Sequence, residues 1–314
     1  MDSDRYAEDK RMPLKEAISK FVKDGDKIGL HGQGYIDAVA AISEIGRQKK
    51  RNLTIAANII THSEMLVGLG CVKKIEFAYV GHGLAGPTYV ARRAIEEGIP
   101  HPIEIEEYTN YTMALRFLAG SMRVPYMLTK SVLGSDLLKV NKKLKTFTDE
   151  ETGEQYVMVP AVNPDVAIIS AQRADTRGNI QFFGISPSCT IGDLARASKR
   201  VIALVEEIVS TEEIRRLPNA TMVPFYCVDA VCELPYFAHP GLMYYYYIYD
   251  IPMHLSWIRD FWSKGHESFL KWADEWIYGI EDHYEYCSKV GWERLHKLTQ
   301  LSRRFVGTIE SVKR

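Results

Sequence analysis

A strand that ends in a glycine-rich turn and runs straight into a helix constrains this chain more than any other feature. Lys27, Ile28, Gly29 and Leu30 form a short apolar strand, His31-Gly32-Gln33-Gly34 turns the backbone, and residues 38–45 resume a helical pattern. The unit recurs. Residues 53–57 are β-prone, 65–69 helical, 75–80 β-prone again up to Gly81-His82-Gly83, 89–97 helical, 103–107 alternating, and 112–118 helical. Repeated strand–loop–helix units predict an α/β fold with a largely parallel open sheet and helices on both faces. Such sheets bind ligands at the carboxyl ends of their strands, so the loops after Leu30, Val80, Ile105 and Leu128 are where chemistry is expected.

An opening helix precedes the first strand. Leu14, Ala17, Ile18, Phe21 and Val22 share one face, with Pro13 at its start and Gly25 beyond its end. Residues 149–155, with Thr152-Gly153 at the tip, read as a polar hairpin and mark a lobe boundary near 149–157 within one domain spanning 1–314. Beyond it, residues 165–169 and 200–205 read as buried central strands, and Ser210 with Glu213 as a capping box. The tyrosines at 244–247 read as packing or subunit contact, and the aromatic stretch 244–262 as too apolar to stay exposed without a partner.

Several function classes fall away. A formal net charge of −1 supplies no field for nucleic acid or an anionic membrane. No apolar run reaches the roughly 18 residues of a membrane span, and the charged start carries no secretory signal. Cys71, Cys189, Cys227, Cys232 and Cys287 form no CxxC pair, and Cys227 and Cys232 with His239 match no structural zinc spacing. Reduced thiols and a cytoplasmic location are expected, with no metal.

Candidate site residues follow from strand ends. The turn at His31, Gly32, Gln33 and Gly34 is either a backbone-amide cradle for a phosphate, carboxylate or thioester oxygen, or a tight turn. It lacks the third glycine and the distal acid of a dinucleotide loop. His82, between Gly81 and Gly83, is either a carbonyl polariser or general acid, or a hydrogen-bonded loop residue. Alternation over 104–107 sends Glu104 and Glu106 to solvent and Glu107 inward, where it serves as a base or as a helix-capping ion pair. Asn110, Gly134 and Ser135 complete the strand-end set. Glu206 and Glu207 read either as catalytic acids or as partners for Arg215 and Arg216.

The second half carries a family resemblance. Val159-Pro160, residues 165–172 and Gly178-Asn179 are similar to segments of glutaconate CoA-transferase A subunits, within the class I coenzyme A transferase family. So are residues 206–210 and 212–216, Val228-Asp229-Ala230-Val231, Pro235-Tyr236, Ala238-His239-Pro240 and Tyr249-Asp250. The resemblance implies that fold, partnership with a homologous B subunit, a coenzyme A thioester as substrate and no tightly bound cofactor. In that family a glutamate contributed by the B subunit is the nucleophile that attacks the acyl-CoA thioester. Two departures stand out. Tyr35-Ile36-Asp37-Ala38 occupies the place of an Arg-Lys-Pro-like stretch, and the loop after Val80 lacks the serine offered to a substrate carboxylate. Ring-opening hydrolases and a decarboxylase acting on CoA thioesters share the scaffold, and the hydrolases carry an acid where Glu107 stands. A ligand-sensing non-enzyme on the same broad fold is the remaining alternative.

Overall fold

The computed structural model describes residues 8–31, 35–184 and 191–312. Strands β1 to β6 are Lys27–Leu30, Leu53–Ile60, Val72–Val80, Glu104–Glu107, Tyr126–Thr129 and Lys145–Thr148. Strands β7 to β12 are Gln155–Pro160, Val166–Ala174, Ile180–Gln181, Arg200–Ile208, Thr221–Val223 and Ala230–Glu233. Helices α1 to α6 are Leu14–Phe21, Val39–Arg47, Glu64–Gly68, Tyr89–Glu96, Asn110–Ser121 and Leu137–Val140. Helices α7 to α12 are Ile191–Ala197, Thr211–Arg216, Ile251–Asp260, His266–Ala273, His283–Val290 and Trp292–Val312.

The main sheet is parallel in the order β4-β3-β2-β1-β8-β10-β12. The expected α/β architecture therefore holds. Strands β8 and β10 are buried along nearly their whole length, as strands covered on both faces require. From β1 the chain winds outward through β2 and β3 to β4, then returns to β8 and winds the other way to β12. That reversal opens a crevice at the carboxyl ends of β1 and β8. The far end of β8 leaves β1 and pairs antiparallel with β9, which pairs with β11.

Strand β5 departs from expectation. It joins β7 and β6 in a separate antiparallel sheet, so the loop after Leu128 does not lie at the carboxyl edge of the main sheet. The cause is local: Asp149 accepts hydrogen bonds from the backbone N–H and hydroxyl of Thr152, closing a turn that folds β6 onto β7 and gives β5 an antiparallel neighbour.

The inward face of β4 is also the reverse of that expected. Glu106 is buried and Glu107 exposed. Parallel register sets Glu106 beside Glu76 of β3, and Arg116 of α5 lies against that face. Cations, rather than apolar contacts, decided which acid turned in. The aromatic stretch is the third correction. Tyr247, Tyr249, Trp257 and Trp262 are buried by their own chain, Trp257 and Trp262 packing with Trp272 at ring distances of 5.0 and 5.1 Å.

Candidate active site

Three strand-end loops meet beside the crevice. After β1, Asp37 accepts hydrogen bonds from the backbone N–H of His62 at 3.2 Å and pairs with its ring Nδ1 at 2.9 Å. After β2, the hydroxyl of Thr61 donates to the carbonyl of Gly81 at 3.1 Å, joining that loop to the one after β3. Residues 81–86 close on themselves through His82 N–H to the Gly86 carbonyl, 2.8 Å. Gly83 has φ of +56°, and a Cβ there would stand 2.6 Å from the Tyr35 hydroxyl. The positive φ favours glycine there, and any side chain would also push the Tyr35 hydroxyl aside.

Behind the loops lies a cluster of buried imidazoles. His82 pairs through Nε2 with Glu64, whose other oxygen accepts the N–H groups of Val90 at 2.8 Å and Ala91 at 2.9 Å. His62 stacks on His254 of α9 at 4.6 Å, and His82 meets the same ring edge-on at 4.7 Å. His254 pairs through Nδ1 with the Tyr249 hydroxyl. Burial, then repulsion from His62 and His82, pushes the His254 pKa far below the ordinary imidazole value, so it is neutral at physiological pH. His31, at the end of β1, is also buried, and burial lowers its pKa to about 4.

The C-terminal third holds this cluster in place. Asp250 caps α9 by accepting the N–H of Met253, 3.2 Å, and bonds His239 Nε2 at 3.1 Å. Leu242 donates its N–H to the Tyr35 carbonyl at 2.7 Å. A Cβ on Gly241 would lie 2.3 Å from that same carbonyl, so only glycine lets the segment approach.

A family model described as coenzyme A transferase matches residues 11–234. The chain belongs to the coenzyme A transferase family. It is 35% identical over 285 residues to the A subunit of 3-oxoadipate CoA-transferase from Pseudomonas knackmussii, covering 89% of this chain and 97% of that one. The crystal structure of glutaconate coenzyme A-transferase from Acidaminococcus fermentans superposes with a TM-score of 0.84 at 33% identity, covering 92% of this chain and 95% of that chain. A cholesterol ring-cleaving hydrolase IpdA subunit of Rhodococcus jostii is 25% identical over 293 residues, 90% of this chain and 96% of that one. The fold and the transferase class expected from the resemblance both hold.

In this coenzyme A transferase chain the expected site residues separate into two groups. Gly81, His82 and Gly83 come together beside Tyr35 and His62, and His31 lies within electrostatic reach of Asp37. Gly32, Gln33 and Gly34 lie outside the described residues, as does Cys189. Glu107 stands apart, exposed and in register with Phe77, three residues or roughly 10 Å short of the end of β3. Asn110 begins α5, where its carbonyl accepts the Asn58 amide at 3.1 Å. Gly134 and Ser135 are exposed in the turn after β5, and Asn141, after α6, donates Nδ2 to the Glu107 carbonyl at 2.7 Å. The inward acid is Glu106. Burial pushes its pKa up, but hydrogen bonds from Lys143, Lys74 and Tyr108 outweigh this and hold it at about 2.

Asp37, His62, Glu64, Tyr249 and His254 were not legible as site residues. Ending β2 at Ala57, three residues before its true end at Ile60, hid the His62 loop from the strand-end rule. Glu206 and Glu207 do not pair with Arg215 and Arg216, which instead face Glu212 and Glu213. Glu206 accepts from Tyr247 OH at 2.8 Å and Tyr236 N–H at 2.7 Å, and Glu207 from Tyr246 OH at 2.5 Å.

A cavity of about 710 Å³ opens elsewhere, between α1, α2, β12 and α11. Its wall brings Asp9, Glu44, Glu233, Glu281 and Asp282 against Arg11, Lys15 and Arg47, and contains none of the expected site residues. Among the described residues no group of three or more His, Cys, Asp or Glu is arranged to hold a metal ion. No described helix is long and apolar enough to cross a membrane.

Proposed function

We propose that this chain is the A subunit of a cytoplasmic CoA-transferase, moving coenzyme A between an acyl-CoA and a carboxylic acid in a pocket completed by a homologous B subunit. The observation that carries this reading is the convergence of the β1, β2 and β3 loops beside the sheet's reversal point, in a chain related along most of its length to CoA-transferase A subunits. The acid-rich cavity at β12 is disfavoured, because its carboxylates repel the phosphates of coenzyme A.

The substrate lies along His31, Gly81, His82 and Gly83 at the carboxyl ends of β1 and β3. Asp37 and Glu64, the described acids at the loop convergence, are both bound to histidines. The nucleophilic glutamate that the family resemblance implies is assigned to the partner subunit. Its carboxylate attacks the thioester carbonyl, the C–S bond breaks, and CoA thiolate leaves a mixed anhydride. The thiolate then attacks the glutamyl carbonyl, releasing the first acid and leaving a glutamyl-CoA thioester. The acceptor carboxylate attacks that thioester and the steps run in reverse. The buried, tightly packed rings of His62, His82 and His254 keep water from this region.

A second reading, C–C bond hydrolysis of a CoA thioester, is favoured by the similarity to a ring-cleaving hydrolase subunit. Co-expression with the B-type subunit, followed by assays of CoA transfer, hydrolysis and decarboxylation, tests both. Transfer activity in the complex and none from this chain by itself is expected. Robust turnover by the single chain overturns the shared-site reading.

A further inference from the structure

Glu64 is fully buried at the first position of α3, where Arg93 acts on it through space but no lysine or arginine forms an ion pair within 4.0 Å among the described residues. Its partners are His82 Nε2 and the backbone N–H groups of Val90 and Ala91. Those two amides belong to the first turn of α4, where helical N–H groups have no partner of their own and the helix presents its positive end. One carboxylate therefore ties together α3, the Gly81 loop and the start of α4, the elements on either side of residues 81–86.

His82 Nδ1 has no hydrogen-bond partner among the described residues, so the ring is held through Nε2 and Glu64 alone. His82 N–H and C=O in turn hold both ends of the 81–86 turn, to Gly86 and Ala85. Fixing that ring fixes the turn. The same ring is wedged against His254 at 4.7 Å and Trp262 at 5.7 Å, which blocks any escape toward the core.

We infer that Glu64 is a positioning residue, acting through His82 to set the Gly81–Gly83 backbone in the geometry that receives the acyl-CoA. The inference rests on the proposed function for its substrate, but the clamp itself does not. A carboxyl group buried at this depth against a loop histidine stabilises one loop conformation over others, because losing any of its bonds leaves a desolvated polar atom unpaired.

The test uses the complete two-subunit complex with Glu64→Gln and Glu64→Ala. Amide hydrogen exchange is followed at His82, Ala85 and Gly86, beside kcat and KM for acyl-CoA. Glu64→Ala is expected to speed exchange at these amides at least tenfold over the rest of the sheet, and to raise KM at least tenfold with a smaller change in kcat. Glu64→Gln still accepts the α4 amides and is expected to recover most of both. His82→Leu, which leaves the Glu64 bonds to α4 in place, substitutes if Glu64→Ala does not fold. Wild-type exchange at residues 81–86 in these variants overturns the inference. Faster exchange with unchanged KM overturns the link to substrate. If the wild-type complex turns over no acyl-CoA, the proposed function fails, and the exchange data decide the clamp by themselves.

Discussion

Arg294 on α12 grips Asp250 through two hydrogen bonds, Nε to Oδ2 at 2.5 Å and Nη2 to Oδ1 at 2.7 Å. Asp250 lies 44 residues earlier, caps α9 and holds His239, so this pair fastens the C-terminal helix to the element that carries His254. Replacing Arg294 with Met leaves a buried carboxylate short of two charge-assisted bonds. The expected loss is about 2 kcal/mol, moderated because Arg294 is half exposed. Chemical denaturation measures it, and an unchanged midpoint contradicts the role.

Glu206 supplies a pH signature. Burial raises its pKa to about 8, against smaller lowering contributions from Tyr236 and Tyr247, so the folded chain keeps it protonated at neutral pH. The unfolded side chain titrates near 4.5, so between pH 4.5 and 8 the folded state binds the extra proton. Stability contributed by this group is present below about pH 4.5 and is lost as pH rises through the window, by at most about 1.4 kcal/mol per unit. Glu206→Gln keeps the shape without the ionisation. Denaturant titrations from about pH 5 to about pH 8.5 are expected to show a flatter profile and higher stability for the variant at the alkaline end.

Gly83→Val tests the loop. Its positive φ and the 2.6 Å approach to the Tyr35 hydroxyl oppose any side chain there. The variant is expected to keep the circular dichroism spectrum of the wild type and to lose at least about tenfold in kcat/KM for acyl-CoA, equivalent to about 1.4 kcal/mol of barrier. Tyr35→Phe combined with Gly83→Ala, which removes the hydroxyl, is expected to recover part of the loss. Normal turnover by Gly83→Val sinks the assignment.

Neighbouring acids on β4 provide a paired contrast. Glu106→Gln breaks a buried ion cluster with Lys74, Lys143 and Arg116, and a stability loss of about 2–3 kcal/mol is expected. Glu107→Gln, at an exposed position, is expected to change stability by less than about 0.5 kcal/mol. If Glu107 reacts with substrate, its rate falls more than about tenfold with no change in the melting curve. A smaller rate loss leaves Glu107 outside the chemistry.

The period of apolar residues and the glycine turns were sufficient to read the strand–loop–helix order, the parallel sheet and the carboxyl-edge loops at His31 and Gly81. Those signals are local, set by side-chain alternation and by backbone conformations that glycine permits. The family motifs were equally legible, and several prove to be scaffold: His239 and Asp250 hold α9, and Glu206 accepts from two tyrosine groups. Which acid of β4 turned inward was not legible, because alternation fixes only that neighbours differ, and the choice fell to Lys74, Lys143 and Arg116. Nor was the histidine cluster. His62, His82 and His254 come from the ends of β2 and β3 and from a helix in the C-terminal third of the chain. No sequence period relates them. Their meeting depends on the parallel register that levels β2 with β3, and on Arg294 and Asp250 fixing α9 above them. Tertiary packing made that decision, through burial of the three rings and through partners contributed by distant elements.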